Sequence, residues 1–139
     1  MKTKKHNGPA KRKIKILIVD DLEFPRMIIR NMLQDLGYES HNNILEAANG
    51  LEAFDVMKEE QIDLIICDWT MPVMTGFELL QKIRATPELA KTPFIMLTAA
   101  AEKENILGAI KAGVSQYIVK PFTAETLYQK IEASFAGPR

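Results

Sequence analysis

The sequence predicts an α/β protein in which five helices cover both faces of a five-stranded parallel sheet. Two observations predict this class. Short apolar runs rich in β-branched residues alternate along the chain with longer amphipathic stretches. The short runs are continuously apolar instead of alternating with polar residues, which is typical of strands that are buried on both faces.

Local signals place each strand and helix. The apolar runs predict strands at residues 14–19, 43–47, 62–67, 93–97 and 115–119. The amphipathic stretches predict helices at residues 24–36, 51–57, 77–84, 102–112 and 124–135. Pro25 suits the first turn of a helix, and Gly37 and Gly113 suit the ends of two helices. The apolar side chains that share one face of the first helix are Ile28, Ile29, Met32, Leu33 and Leu36.

The composition is that of one soluble globular domain. The chain has 139 residues, of which 47% are hydrophobic and 26% are charged. No apolar run approaches the roughly 20 residues that span a bilayer, and no signal-peptide pattern opens the chain. The single cysteine, Cys67, excludes an internal disulfide and suits a reducing compartment. We therefore expect a cytoplasmic protein without membrane insertion.

Charge is distributed unevenly, although the formal net charge is zero. Residues 1–13 contain six of the eighteen basic residues and no acid, which leaves twelve bases against eighteen acids in the rest of the chain. This acidic remainder argues against a nucleic-acid-binding surface on the folded part. We expect residues 1–13 to be a flexible basic tail and residues 14–136 to form one domain.

Polar residues follow four of the five predicted strands. Asp20 and Asp21 follow the first strand, Asp68 the third, Thr98 the fourth and Lys120 the fifth. Functional groups of an open parallel sheet collect at the carboxyl ends of the strands, so these side chains are expected to form one site. Three carboxylates at one site repel one another and favour a hard divalent cation such as Mg²⁺.

This combination of groups suits phosphoryl transfer. A lysine ammonium, a hydroxyl donor and Mg²⁺ together neutralise the charge on the equatorial oxygens of a transferring phosphoryl group. An aspartate carboxylate can be the nucleophile and form an aspartyl phosphate. Asp68 is the best candidate, because it follows the most buried strand in the centre of the predicted sheet.

Two other functional classes fit less well. A haloacid-dehalogenase-like phosphatase also uses an aspartate nucleophile and Mg²⁺, but Thr70 stands where its second aspartate belongs. A flavodoxin-like cofactor binder needs a phosphate loop after the first strand, where this chain is acidic. We therefore expect only self-catalysed phosphoryl acceptance and dephosphorylation, and no turnover of an external substrate.

Four short motifs surround the polar residues. They are Ile-Val-Asp-Asp at 18–21, Cys-Asp-Trp-Thr-Met-Pro at 67–72, Leu-Thr-Ala at 97–99 and Tyr-Ile-Val-Lys-Pro-Phe at 117–122. Together they resemble the receiver domains of bacterial response regulators, most closely the stand-alone chemotaxis (CheY-like) type. The resemblance covers residues 14–136 and implies a flavodoxin-like (βα)5 fold. The implied strand order, 2-1-3-4-5, is taken from the family and not from the sequence pattern.

The resemblance implies a role for each acidic residue. Asp68 would be phosphorylated, and Asp21, Asp68 and the backbone carbonyl of Thr70 would bind Mg²⁺ directly. Asp20 would act mainly through water.

The resemblance also implies a phosphoryl-binding and switch group. Thr98, Ala99 and Lys120 would contact the phosphoryl group, and Tyr117 would turn inward when Thr98 is drawn toward it. Pro121 occupies the position of a cis-proline in the family.

Four features depart from the chemotaxis type. Thr70 replaces a usual asparagine, Ala100 a frequent acid and Thr75 a common aspartate, and the segment 39–45 is about three residues longer. Thr70 and Ala100 flank the path of the water that hydrolyses an aspartyl phosphate, so the sequence leaves the dephosphorylation rate open.

The resemblance implies protein partners. A sensor histidine kinase would donate the phosphoryl group to a monomeric, single-domain regulator without a DNA-binding domain. The output partner would bind the surface made by the fourth helix, the fifth strand and the fifth helix. The flagellar motor switch is the first candidate, and a phosphorelay intermediate or a kinase-regulating receiver is the alternative role. A dedicated phosphatase is a further candidate partner.

Overall fold

Five parallel strands form one sheet in the order β2-β1-β3-β4-β5, and five helices alternate with them along the chain. The computed structural model describes residues 13–38, 42–99 and 105–136. The elements are β1 (Ile16–Val19), α1 (Glu23–Asp35), β2 (Ile44–Ala47), α2 (Gly50–Glu59), β3 (Leu64–Asp68), α3 (Gly76–Arg84), β4 (Phe94–Thr98), α4 (Ile106–Lys111), β5 (Gln116–Val119) and α5 (Ala124–Ser134). The predicted fold class and strand order are confirmed.

Burial on both faces explains why the strand runs are continuously apolar. Every residue of β1 and β3 is buried, and alternate side chains enter two separate cores. Ile16 and Ile18 pack with side chains of α1 and α5, whereas Leu17 and Val19 pack with side chains of α2 and α3. The sheet is therefore the shared wall of two cores, which fixes the positions of its strand ends.

The predicted helix ends agree with the backbone conformation. Gly37 and Gly113 follow α1 and α4 with φ values of 88° and 97°, in the left-handed region where glycine is favoured. At the start of α2, the side chain of Asn49 accepts a hydrogen bond from the N–H of Glu52 at 2.9 Å. This contact satisfies one of the backbone donors that a helix leaves free at its first turn.

Two strands begin two residues later than predicted, and one carboxylate explains the difference. The N–H of Lys15 donates to Oδ2 of Asp63 at 2.8 Å. The N–H groups of Asp63 and Leu64 both donate to the carbonyl of Lys15, at 2.8 and 3.2 Å. The Asp63 side chain thus replaces a strand partner at this end, and regular pairing begins at Ile16 and Leu64.

The apolar face of α1 extends beyond the core. Ile29 and Leu33 are buried, but Ile28 is 38% exposed. Together with Met32 and Phe122, Ile28 lines an apolar pocket of about 440 Å³. The predicted face therefore contributes both to the core and to an open pocket beside the carboxyl edge of the sheet.

Several predictions fall outside the described residues. They concern residues 1–12 of the basic tail, residues 39–41 of the longer segment, Ala100, and residues 102–104 of the fourth predicted helix. Within the described ranges, no helix combines the length and the apolarity needed to cross a membrane.

Candidate functional site at the carboxyl edge of the sheet

The strand register brings the predicted polar residues to one edge. Asp68 ends β3, and Thr98 ends β4 opposite Val119, the residue before Lys120. The N–H of Lys120 donates to the carbonyl of Thr98 at 2.7 Å and holds the end of β5 beside β4. Asp20 follows the last residue of β1. Strand β1 pairs with β3 on the side opposite β4.

Three carboxylates meet at this edge. Asp20, Asp21 and Asp68 each offer an oxygen, and these oxygens all lie within 4.8 Å of one another. Asp20 and Asp68 are 3% and 7% exposed, whereas Asp21 is accessible to solvent. Burial raises the pKa of Asp20, a hydrogen bond from the Leu22 N–H lowers it, and the charge of Asp68 raises it again. The pKa of Asp20 is raised overall, chiefly because its carboxylate is buried, and the charges of Asp68 and Asp21 add to that increase.

A lysine compensates only part of this negative charge. Nζ of Lys120 contacts Oδ1 of Asp68 at 2.5 Å. The guanidinium of Arg26 also lies nearby and donates to the backbone carbonyl of Asp20 at 2.6 Å. That guanidinium also pairs with Glu46 at 2.8 Å, and the same carboxylate pairs with Arg30 at 3.0 Å. The three carboxylates therefore remain in excess over the ammonium group.

The donor set fits a hard divalent cation. Carboxylate oxygens are the usual protein ligands of Mg²⁺, which also keeps several waters. The accessible side of Asp21 leaves room for such waters. Thr70, whose carbonyl the family resemblance assigns to the metal, is an exposed residue of the loop after β3. The four metal roles themselves remain predictions.

The hydroxyl of Thr98 has an unusual environment. Thr98 is 0% exposed, and its Oγ1 has no hydrogen-bond partner among the described residues. A buried hydroxyl without a partner costs about 1–3 kcal/mol relative to a satisfied one. Such a group is expected where a ligand oxygen completes its hydrogen bonding. This observation favours the predicted contact between Thr98 and a phosphoryl oxygen.

Two neighbours of the site have structural roles that were not predicted from the sequence. Gly76 packs so tightly on β3 that an added Cβ would lie 2.3 Å from the carbonyl oxygen of Asp68. Thr75 caps α3, because its Oγ1 accepts from the Glu78 N–H at 3.1 Å while the Glu78 carboxylate accepts from the Thr75 N–H at 2.9 Å. The pattern Thr-x-x-Glu is a sequence signature of this capping box and could have identified it.

The predicted switch residue lies at the edge strand β5. Tyr117 is half-buried against the core between the sheet and α2 and α3, and Nζ of Lys130 lies 5.5 Å from the centre of its ring. Pro121 follows Lys120 through a cis peptide bond. Ala99 follows Thr98 and lines the apolar pocket beside α1.

The aromatic residue next to Asp68 is ordered by stacking. The ring of Trp69 lies 5.5 Å from that of Phe77, with 17° between the two planes. Trp69 lies between Asp68 and Thr70 in the sequence and is joined to each by one peptide bond. Its fluorescence is therefore a natural reporter of events at the site.

Comparisons with known proteins agree with the motif resemblance. The response regulator receiver domain family matches residues 16–132. The chemotaxis protein CheY-3 of Vibrio cholerae is 48% identical over 124 residues, which cover 89% of this chain and 93% of that protein. The chemotaxis protein CheY of Pseudomonas aeruginosa is 45% identical over 122 residues, which cover 88% of this chain and 96% of that protein.

A solved structure shows the same similarity. The chemotaxis response regulator CheY4 of Vibrio cholerae superimposes with a TM-score of 0.79 at 35% sequence identity. The match covers 89% of this chain and 100% of that chain.

Proposed function

The chain belongs to the response regulator receiver domain family, and on that basis we propose that Asp68 accepts a phosphoryl group in a Mg²⁺-dependent reaction. The main support is the contact between the Asp68 carboxylate and Lys120 within a cluster of three carboxylates. The donor is a sensor histidine kinase. The chain is a signalling protein, and its chemistry is limited to its own phosphorylation and dephosphorylation.

The reaction follows from the positions of the side chains. An oxygen of Asp68 attacks the phosphorus of a phosphohistidine, and the phosphorus–nitrogen bond breaks. The electron pair stays on the imidazole nitrogen, which takes up a proton. Lys120 moves from the carboxylate to an oxygen of the transferred group, and the Thr98 hydroxyl donates to another. Asp20, Asp21 and Asp68 would hold Mg²⁺, which would supply positive charge to offset that of the carboxylates and the phosphoryl group.

Acetyl phosphate tests this function without a protein donor. With Mg²⁺ present, we expect mass spectrometry to show one added phosphoryl group that hydroxylamine removes, as an acyl phosphate requires. Chelation of Mg²⁺ should prevent the addition. An adduct that resists hydroxylamine and maps to a serine or threonine would contradict the proposal.

Removal of the accessible carboxylate should abolish metal binding. In the wild type, we expect Mg²⁺ to change the fluorescence of Trp69. In Asp21→Ala the response should be lost, because one of three clustered carboxylates is missing. Asp55→Ala, which removes an exposed carboxylate of α2, is the matched control and should titrate like the wild type. An unchanged titration of Asp21→Ala would show that the metal binds elsewhere.

Phosphorylation shifts an existing equilibrium between the outward and inward positions of the Tyr117 ring, and the Thr98 hydroxyl connects the two events. When this hydroxyl moves toward the phosphoryl group, it vacates space on the sheet face that it shares with Tyr117. The Tyr117 ring then turns inward, and a partner that prefers the inward ring binds more tightly. The coupling is limited to about 1–3 kcal/mol, typical of interactions between two sites.

Thr98→Ala should separate phosphorylation from this output. Asp68 should still be modified, but beryllofluoride should no longer increase partner affinity, whereas the wild type should gain about 5- to 150-fold. Thr98→Ser retains the hydroxyl and should respond like the wild type. The measurement is partner affinity by titration with and without beryllofluoride. Equal enhancement in Thr98→Ala and the wild type would exclude this route.

The output partner is a protein that contacts α4, β5 and α5. Two apolar side chains of α4, Leu107 and Ile110, are 70% and 51% exposed, which suits a binding surface. Because the similar proteins are named as chemotaxis proteins, we expect the flagellar motor switch first and a phosphorelay or kinase-regulating role second. A beryllofluoride-dependent pull-down distinguishes these partners.

A further inference from the structure

One residue of the loop after Asp68 has a backbone conformation that does not suit its side chain. Val73 has a φ of 72°, and the N–H of Met74 donates across it to the carbonyl of Pro72 at 2.7 Å. This is the geometry of a classic γ-turn, which is rare and strained. A β-branched residue in the left-handed region is an outlier, because its Cβ crowds the backbone.

The chain uses suitable residues elsewhere for the same conformation. Among the described residues, the other positive φ values belong to Gly37, Gly113 and Asn42. Glycine and asparagine adopt this region at low cost. Nothing in the turn requires valine, so an asparagine or a glycine would relieve strain at position 73.

Internal packing does not explain the valine. Its side chain is 72% exposed, the highest fraction among the large hydrophobic residues that the structure describes as exposed. The neighbours Met71 and Met74 supply the inward contacts, since Met71 is 5% exposed and Met74 packs against Gly50. Strain that is retained without an internal contact is a feature of functional sites.

The location of Val73 indicates what it contacts. The loop is closed at its base by a hydrogen bond from the Gly76 N–H to the Trp69 carbonyl at 2.8 Å. Val73 therefore lies on a short closed loop that begins directly after Asp68, whose side chain is only 9% exposed. A protein that brings a phosphohistidine within bonding distance of this recessed carboxylate must approach this loop. An output partner on α4, β5 and α5 has no such requirement.

We propose that Val73 is a contact residue for the protein phosphodonor. An apolar side chain next to the phosphohistidine of the donor covers this valine. The inference rests on the proposed function of Asp68. Thr70 and Asp21 are polar residues of the same edge, whereas Val73 offers an exposed apolar side chain on the loop after β3. The strain is retained because any residue that relieves it well also removes the apolar contact.

Donors of different size provide the test. Val73→Asn and Val73→Gly should both unfold at a higher temperature than the wild type, and acetyl phosphate should modify all three proteins at equal rates. An autophosphorylated sensor histidine kinase that phosphorylates the wild type is the protein donor. With this donor, kcat/KM should fall about three- to tenfold in both variants, mainly through KM. Val73→Ile keeps both the apolar side chain and the strain, and it should behave like the wild type.

The outcomes separate this inference from the proposed function. Failure of acetyl phosphate to modify the wild type would refute the proposed function. Normal labelling by acetyl phosphate together with equal kinase rates in all variants would overturn only the role of Val73. A loss of output-partner or phosphatase binding with unchanged kinase rates would also overturn it, since another protein would then cover the valine. Equal slowing in Val73→Ile would do the same, because the side chain would not be the cause.

Discussion

Asp68→Asn should abolish the acyl phosphate adduct completely while the domain stays folded. The amide is nearly isosteric with the carboxylate, but it is not nucleophilic. The variant loses the ion pair with Lys120 and also loses one charge from a cluster of three carboxylates. These effects oppose each other, so we expect the free energy of unfolding to change by no more than about 1 kcal/mol. Intact-mass spectrometry after incubation with acetyl phosphate and Mg²⁺ measures the adduct, and thermal unfolding measures the stability.

A matched substitution controls for the loss of an acidic residue. Asp55→Asn alters a 74% exposed carboxylate of α2, and it should be phosphorylated like the wild type. Residual hydroxylamine-sensitive labelling of Asp68→Asn would identify another aspartate of the cluster as the acceptor.

Gly76→Ala should destabilise the domain strongly and disturb the site. Helix propensity alone predicts a gain, since alanine replaces glycine in the first turn of α3. The new Cβ would lie 2.3 Å from the carbonyl oxygen of Asp68 and 3.0 Å from the sulfur of Met96. The nearest atom belongs to the backbone of the central strand and cannot rotate away. We expect a loss of about 2–4 kcal/mol in the free energy of unfolding, measured by urea titration, together with slower phosphorylation.

A second glycine gives the opposite expectation. Gly108 lies inside α4, and an added Cβ would meet only a ring carbon of Phe77 at 3.8 Å, an ordinary contact. Gly108→Ala should therefore stabilise the protein by about 0.5–1 kcal/mol. If both substitutions changed stability equally, the close approach of Gly76 to β3 would not be the cause.

The periodic features of this fold could be predicted from the sequence. Continuous apolar runs indicate strands with two covered faces, and the polar residues after them indicate where the strands emerge. These two facts locate Asp20, Asp68, Thr98 and Lys120 at one edge, which the strand register confirms. The positive φ of glycines such as Gly37, which follow the ends of helices, could be predicted from local backbone preferences.

Features that depend on contacts between distant segments could not be predicted in this way. The late start of β1 and β3 depends on a hydrogen bond of Asp63 to a residue 48 positions away. The need for glycine at position 76 arises from the carbonyl of Asp68, and no local pattern encodes that approach. Val73 gives no sequence signal for a positive φ, because valine disfavours that conformation. The sequence pattern thus describes faces and ends of elements, and the structure adds the close contacts between them.

The burial of Cys67 has a practical consequence for labelling experiments. Its thiol is 0% exposed, and burial, with the charges of Asp68 and Asp20, raises its pKa well above the ordinary value. Thiol reagents attack the thiolate, which is neither formed nor reachable while the central strand is covered. An alkylating reagent should modify this cysteine only when the sheet opens, so its rate of capture would report global unfolding. A cysteine introduced on the surface could be coupled to a fluorophore without first removing the native one.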